Sequence, residues 1–228
     1  MPIQLLNTNN TGTFTLVNKS NSGAFSMSTA DQQPSPTPSV SVTPSVTVSV
    51  TPSISVTPSI TPTPSPTPVP TYTIGQSALG GKIAYILQPG DPGYDANVQH
   101  GLVATVADIG TAQWGCAGTV LSGADGTAIG TGNQNTIDIM AGCATAGIAA
   151  RLCGDLTEGG YSDWYLPSKD ELNALYINRV AIGGFGTGNY WSSSEFNNFN
   201  AWRHTFSINL QNDWFKGTSY SVRAVRSF

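Results

Sequence analysis

The sequence predicts an α+β fold for the C-terminal part of the chain, preceded by an extended stalk and a short N-terminal β-hairpin. Eleven of the fifteen prolines lie at 34–70, whereas twelve of the thirteen acidic residues lie beyond residue 90. After residue 72 the sequence changes from short repeats to alternating β-prone and helical segments. We therefore expect a hairpin at 1–30, a stalk at 31–72 and a compact head at 73–228, large enough for its own core.

Two short alternating segments at 13–17 and 24–28 flank the turn-forming residues 18–23. This pattern predicts a β-hairpin. Its apolar residues are Phe14, Leu16, Phe25 and Met27. Because an isolated hairpin is only marginally stable in water, we expect it to associate with a partner or with other copies. The alternative is a frayed tail.

The stalk is built from recurring Thr-Pro-Ser-Val and Thr-Pro-Ser-Ile units, as at 43–46 and 57–60. Proline at this density removes backbone donors and fixes φ, which disfavours helices and central strands. The expected conformation is polyproline II at about 3.1 Å per residue, which gives a spacer on the order of 100 Å long. Two alternatives remain open, namely copies that bundle through their valines and isoleucines, and a passive spacer that carries O-linked glycans.

Five segments of the head have the composition of β-strands. They lie at 81–87, 100–106, 190–193, 202–208 and 221–225. The glycine-rich stretch 111–134 is expected to be a loop, as are 195–201 and 209–219. The last three segments predict a small antiparallel sheet near the end of the chain.

Two to three helices are expected in the middle of the head. Asn135 and Thr136 are suitable N-caps for a helix that begins near Ile137. Glycines then interrupt the pattern before a helical segment at 148–156, in which apolar residues recur on one face.

Ser168 and Glu171 form the clearest local signal in the chain. A serine followed three residues later by a glutamate, just before an apolar run, predicts a capping box at the start of a helix. The alternative is that Glu171 is a general acid, but the capping role accounts for its position better.

The three cysteines allow at most one intrachain disulfide. On a continuous helix Cys143 and Cys153 would lie about 15 Å apart, which is beyond disulfide reach. The preferred pair is therefore Cys116 and Cys143, with Cys153 as a buried thiol, unless the chain folds back near Gly147. The cysteines and the two histidines lack zinc-binding spacing, and no ordered series of calcium ligands occurs, so we expect neither metal nor cofactor.

The charge and hydropathy patterns exclude two classes of partner. The net charge is −4 and the basic residues are scattered, so the chain has no footprint for nucleic acid. It has no run of about 18 apolar residues, so we expect no membrane span. The first 28 residues lack the pattern of a secretory signal peptide.

The last 40 residues of the chain combine aromatic side chains with asparagines and cations. Trp164 and Trp191 are expected to lie in the core. Aromatic rings beside planar amides and cations are typical of a surface that binds a glycan or a protein, although each such side chain has packing as its alternative role. The candidate residues of this loop surface are Asn197, Asn198, Asn200, Trp202, Arg203, Asn212, Trp214 and Lys216.

Three motifs resemble the C-terminal domain of the Legionella collagen-like adhesin family (Lcl-C). They are Gly-Gly-Tyr-Ser-Asp-Trp-Tyr-Leu-Pro-Ser-Lys-Asp-Glu-Leu at 159–172, Tyr-Trp-Ser-Ser-Ser-Glu at 190–195 and Val-Arg-Ala-Val-Arg at 222–226. The resemblance covers about 73–228 and implies a compact C-type-lectin-like adhesion module, typically trimeric. The hairpin and stalk resemble those of marine phage structural proteins, although the collagen repeat of the adhesins is missing.

This resemblance implies a non-enzymatic virion fibre or appendage protein that presents a receptor- or glycan-binding head. The expected partners are other copies in a homotrimer or fibre, a virion or fibre docking protein that holds residues 1–30, and a host-surface glycan or protein. The alternatives are a purely structural fibre protein, a secreted bacterial adhesin, and an enzyme, the last by fold analogy alone.

Overall fold

The computed structural model describes residues 69–228, together with the backbone of three short strands that precede them. Backbone contacts divide the chain into two units, Met1–Pro62 and Thr63–Phe228. The polyproline II conformation expected for the stalk falls almost entirely outside the described residues.

The first unit contains the strands β1 (Leu5–Leu6), β2 (Thr15–Val17) and β3 (Ala24–Ser26). β2 and β3 pair antiparallel with Leu16 opposite Phe25, where the alternating sequence predicts a hairpin. β1 pairs antiparallel with β2 and lies outside the predicted hairpin. Two consecutive leucines are too short a segment to show the alternation that reveals a strand.

In the described part of the second unit two sheets combine with four helices, so the α+β class is confirmed and the expected number of two to three helices is corrected to four. Its strands are β4 (Ser77–Ala78), β5 (Gly81–Ile86), β6 (Gly101–Ala104), β7 (Gly110–Gln113), β8 (Asn189–Glu195), β9 (Asn200–Thr205), β10 (Leu210–Phe215), β11 (Ser219–Val222) and β12 (Val225–Ser227). Its helices are α1 (Gly132–Gly142), α2 (Ala149–Gly154), α3 (Lys169–Ile177) and α4 (Arg179–Ile182). The first sheet has the order β12-β6-β5-β4 and the second the order β10-β9-β8-β11-β7. Among the described strands only β8 and β11 pair in parallel, so the small antiparallel sheet expected near the end of the chain is corrected to a mixed five-stranded sheet.

Two strands lie where the sequence predicts loops. β10 falls within the expected loop 209–219, and β7 overlaps the start of the expected loop 111–134. Asn212 and Asp213 have low β-propensity, yet every residue of β10 pairs with a residue of β9. The neighbouring strand therefore decides the conformation of this segment, and local propensity does not.

The first helix begins at Gly132 rather than near Ile137, so Asn135 and Thr136 lie inside it instead of capping it. Both side chains are buried. Asn135 Nδ2 donates to the carbonyl of Gly126 at 2.6 Å, and Thr136 Oγ1 accepts a backbone N–H at 3.0 Å. These hydrogen bonds anchor α1 to the segments around it.

Trp164 and Trp191 lie in the core as predicted, each at most 2% exposed. The Trp191 indole N–H donates to the Ala112 carbonyl at 3.1 Å and so ties β8 to β7. Trp114, from a segment predicted as loop, is buried as well, and its indole N–H donates to the Ser192 carbonyl at 2.9 Å. Buried indoles therefore join the strands of the five-stranded sheet.

The three motifs that carry the family resemblance meet and form one framework. Tyr165 of the first motif pairs through its backbone with Val225 of the third, with N···O distances of 2.7 and 2.9 Å. The backbone N–H of Ser193 in the second motif donates to the proline carbonyl of the first. The Arg226 guanidinium forms two hydrogen bonds with the Asp163 carboxylate, at 2.7 and 2.9 Å. The motifs thus support the fold rather than line a site.

The first and last residues of the head lie side by side. Phe228 exchanges two backbone hydrogen bonds with Gly101, at 3.2 and 3.0 Å. The Tyr72 ring packs edge-on against the Phe228 ring, with centroids 5.2 Å apart. The C-terminal residue is thereby fixed next to the segment through which the chain enters the head.

Candidate functional site

Seven of the eight candidate residues lie on β9, on β10 or in the turn before β9, so they are mostly on strands rather than loops. Antiparallel pairing places Arg203 opposite Asn212. Paired residues share a face of the sheet and successive residues alternate, so Arg203, Asn212 and Trp214 lie on one face, whereas Asn200 and Trp202 lie on the other. The single continuous loop surface predicted from the sequence is therefore wrong.

Arg203 belongs to a stack of side chains on the first face. Its guanidinium lies 4.7 Å from the ring centroid of Trp214 and 5.3 Å from that of Tyr220, within the range of cation–π contacts. Its Nη1 donates to Asn189 Oδ1 and to Thr205 Oγ1. The side chain is only 9% exposed, so it positions Trp214 and does not present a free cation.

Trp202 is half-buried on the second face. Its ring meets that of Phe196 edge-on at 5.3 Å, and the Lys169 ammonium lies 4.6 Å from its centroid. The neighbouring Asn200 Nδ2 donates to Asp213 Oδ2 at 2.7 Å. The Asn200 amide and the Lys169 ammonium on this face are therefore engaged with other side chains of the protein.

The turn between β8 and β9 uses its asparagines to fold. Asn197 Oδ1 accepts from the backbone N–H groups of Phe199 and Asn200, both at 2.8 Å, which is the pattern of an Asx turn. The Asn198 carbonyl accepts from Gly118 N at 2.7 Å and so connects the turn to the segment before α1. The Asn197 amide oxygen is therefore committed to the turn, whereas the Asn198 side chain stays partly exposed.

Lys216 is fully buried, which corrects its assignment to a ligand-binding surface. Its ammonium binds the Glu195 carboxylate, donates to the Thr119 carbonyl at 3.0 Å and lies 4.5 Å from the centroid of Trp114. Leu121 N donates to both oxygens of Glu195, at 3.0 and 3.1 Å. Burial lowers the pKa of Lys216, and the adjacent carboxylate opposes this shift. The ion pair joins the end of β10 to the end of β8, and both partners also bond to the segment before α1.

Four aromatic side chains are exposed at this end of the five-stranded sheet, each by 45–54%. They are Phe196, Phe199, Trp214 and Phe215, and we call this set the aromatic tip. The first two lie in the turn before β9. The register of β10 places the other two beside that turn, with Trp214 on the Arg203 face and Phe215 on the Trp202 face, so the set spans both faces at this end of the sheet. Of these four residues, only Trp214 is among the candidates predicted from the sequence. The phenylalanines and asparagines at 196–200 are the sequence signal that indicates the exposed turn.

The structure joins Cys116 to Cys143, the pair preferred from the sequence, with Cα atoms 5.9 Å apart. Cys153 is a buried free thiol, and burial raises its pKa well above the ordinary value. A thiol that stays protonated is a poor nucleophile. The disulfide lies two residues from Gly118, which bonds to Asn198, so it also supports the aromatic tip.

Ser168 and Glu171 form the capping box expected from the sequence. Ser168 Oγ accepts from Glu171 N at 3.3 Å, and Glu171 Oε2 accepts from Ser168 N at 2.8 Å. The second carboxylate oxygen accepts from Gly130 N at 2.9 Å and from the Tyr165 hydroxyl at 3.3 Å. Burial raises the pKa of Glu171, and its hydrogen bonds all serve the backbone and core around it. The geometry is that of a helix cap.

Two pockets of the head are lined by residues other than the candidate ones. These shallow pockets of ≈ 210 and ≈ 370 Å³ lie around the segment between β5 and β6, and both are lined by Leu87 and His100. Within residues 69–228 no group of three His, Cys, Asp or Glu side chains is arranged to hold a metal ion. No helix in this part of the chain is long and apolar enough to cross a membrane.

No family model and no curated protein matches the chain. Among solved structures, the chain is similar to a fimbrial protein from Bacteroides ovatus ATCC 8483, with 18% sequence identity and a TM-score of 0.44. The match covers 64% of this chain and 43% of the fimbrial protein, so the chain spans less than half the length of that protein. This similarity assigns neither a family nor a function.

Proposed function

We propose that this chain is a non-enzymatic fibre or appendage protein whose head binds a host-surface glycan or protein through the aromatic tip. The observation that carries the proposal is the exposure of Phe196, Phe199, Trp214 and Phe215 at one end of the sheet. Folding buries large aromatic side chains where it can, and clusters left exposed are typical of binding surfaces.

The aromatic tip is held in place before any ligand arrives. Arg203 supports the Trp214 ring, and the edge-on contact with Trp202 supports Phe196. The turn that carries Phe199 is closed by the side chain of Asn197. Rigid aromatic anchors lose little conformational entropy on binding, which favours a recognition role over a purely structural one.

The remaining parts of the proposal concern assembly. Residues 1–30 dock to a virion or fibre protein, residues 31–72 hold the head away from that anchor, and the chain forms a homotrimer on a virion surface. The family resemblance of 73–228 and the repeats of the stalk support this arrangement. A monomer mass for the full chain in light scattering would refute the trimer.

Binding by the full chain to host cells and to a glycan array tests the role of the tip. Phe196→Ser and Phe199→Ser are expected to weaken binding by about tenfold each, the size of effect seen at interface anchors. The controls are Ile177→Ser and Val180→Ser, which change side chains 65% and 88% exposed on α3 and α4. If all four variants bind like the wild type, the tip is not the binding surface. If the wild type binds neither cells nor glycans while assembly requires the head, the structural alternative is correct.

A further inference from the structure

Strand β10 is an edge of the five-stranded sheet, and no strand among the described residues pairs with its outer side. It has six residues, whereas the other edge strands of the head, β7, β12 and β4, have four, three and two. Proteins normally block exposed edges with prolines, lysines, bulges or short strands, because a free edge pairs with other chains. β10 contains neither proline nor lysine, and its register with β9 is continuous.

The hydrogen bonds of β10 show which backbone groups face outward. Lys216 N donates to the Phe199 carbonyl at 2.9 Å, so these two residues form a hydrogen-bonded pair in the ladder. Such pairs alternate along antiparallel strands. The even-numbered residues of β10 therefore bond to β9, whereas Gln211 and Asp213 direct their N–H and C=O groups to the outer edge. The Phe215 carbonyl accepts from Thr218 N at 3.0 Å in the turn that follows β10.

We propose that β10 pairs antiparallel with β10 of a second copy of this chain, about a two-fold axis at Asn212. In this register Gln211 of each copy lies opposite Asp213 of the other, and each of these pairs exchanges two backbone hydrogen bonds. Leu210 lies opposite Trp214, and Asn212 lies opposite its own counterpart. The pairing thus covers Trp214 and leaves Phe196 and Phe199 as the anchors of the aromatic tip. The pairing continues the five-stranded sheet from one head into the next and adds an assembly contact distinct from the hairpin and stalk.

The side chains of β10 favour this register and a second copy as the occupant. A shift of the axis by one residue toward Phe215 would place Asp213 opposite itself, and like charges in that position are destabilising. The proposed register sets each Asp213 against a Gln211 amide and sets Leu210, 44% exposed, against Trp214, 45% exposed. It also brings a second amide opposite Asn212, whose buried Oδ1 has no hydrogen-bond partner among the described residues. All these matches arise within one six-residue sequence, as expected of a self-complementary edge.

Disulfide cross-linking of the full chain in a Cys153→Ser background tests the register. Asn212→Cys is expected to give a covalent dimer, because opposing Cα atoms of a non-hydrogen-bonded pair lie roughly 4.5 Å apart. Leu210→Cys alone should stay uncross-linked, since its two copies lie roughly 14 Å apart, but a mixture with Trp214→Cys should cross-link. An Asn212→Cys variant that stays uncross-linked, or an Asp213→Cys variant that cross-links in its place, would overturn the proposal. If Asn212→Cys stays uncross-linked, any partner of this edge would be a strand other than β10 of a second copy.

Charge variants test the same pairing without new thiols. Gln211→Glu places two like-charge pairs across the interface and should raise the dimer dissociation constant about tenfold, whereas Gln211→Lys should lower it. Gln211→Met is the control, because it removes the hydrogen bond from Gln211 to the Lys169 carbonyl without adding a charge. Equal dissociation constants in sedimentation equilibrium would refute the pairing. Phe199→Ser is expected to cross-link normally in the Asn212→Cys chain, so failure of ligand binding and failure of pairing are separate results.

Discussion

The double variant Cys116→Ala/Cys143→Ala is expected to destabilise the head by about 3.5 kcal/mol. The two cysteines are 27 residues apart, and a cross-link that closes a loop of this length lowers the entropy of the unfolded chain by the corresponding amount at 25 °C. For a domain of this size each kcal/mol changes Tm by about 2–4 °C, so the variant should melt about 7–14 °C below the wild type.

Thermal unfolding with and without a thiol reductant measures this effect and separates it from the loss of side chains. The wild type should melt lower in reductant, whereas the double variant should not respond. The matched control is Cys153→Ala, which keeps the disulfide and should respond like the wild type. If reductant leaves the wild-type midpoint within about 1 °C, the loop-closure reasoning is refuted, because the predicted shift is several times larger.

Three further predictions concern buried polar groups. Ser168→Ala removes the cap of α3 and should cost about 1 kcal/mol in urea unfolding, and an unchanged midpoint would argue against the capping box. Lys216→Met leaves the buried Glu195 carboxylate without its partner and should cost about 3–5 kcal/mol, whereas adding Glu195→Gln should recover part of this loss. Additive effects in the double-mutant cycle would contradict the ion pair. Burial lowers the pKa of His204, so the folded state binds its proton less readily than the unfolded state does. The contribution of neutral His204 to the free energy of unfolding is therefore fully present above pH 6.5 and is lost as the pH falls through the folded-state pKa. His204→Phe should flatten this part of the pH profile of Tm, and a wild-type slope that survives the substitution would point to another group.

Elements governed by short-range chemistry were predictable from the sequence. The start of α3 depends on Ser168 and Glu171, which are three residues apart, and the structure places the helix start directly after Ser168. β10 was not predictable in the same way, because its conformation depends on hydrogen bonds to β9. The start of α1 was misplaced for a similar reason, since Asn135 and Thr136 bond to residues outside the helix that they were expected to cap.

The candidate surface was located in the correct stretch of the chain, but the roles within it depend on distant contacts. From the sequence alone, Lys216 is expected to be an exposed cation. In the folded chain its ammonium contacts Glu195 and Thr119, which are distant in the sequence. Arg203 likewise serves as a support for Trp214. Composition indicates which residue types gather in a segment, whereas exposure follows from the packing of the other segments against it.

The contact between Tyr72 and Phe228 has a mechanical consequence. Because Tyr72 and Phe228 lie together on the β5–β6 side, a pull applied at Tyr72 would enter the head in the four-stranded sheet. A ligand held at Phe196 or Phe199 would apply the opposing pull in the other sheet. The Tyr165–Val225 bridge and the hydrogen bond from Ser193 N to the Pro167 carbonyl connect the two sheets and would carry part of this tension. The framework formed by the three motifs thus becomes the element under load when the head is attached at both ends.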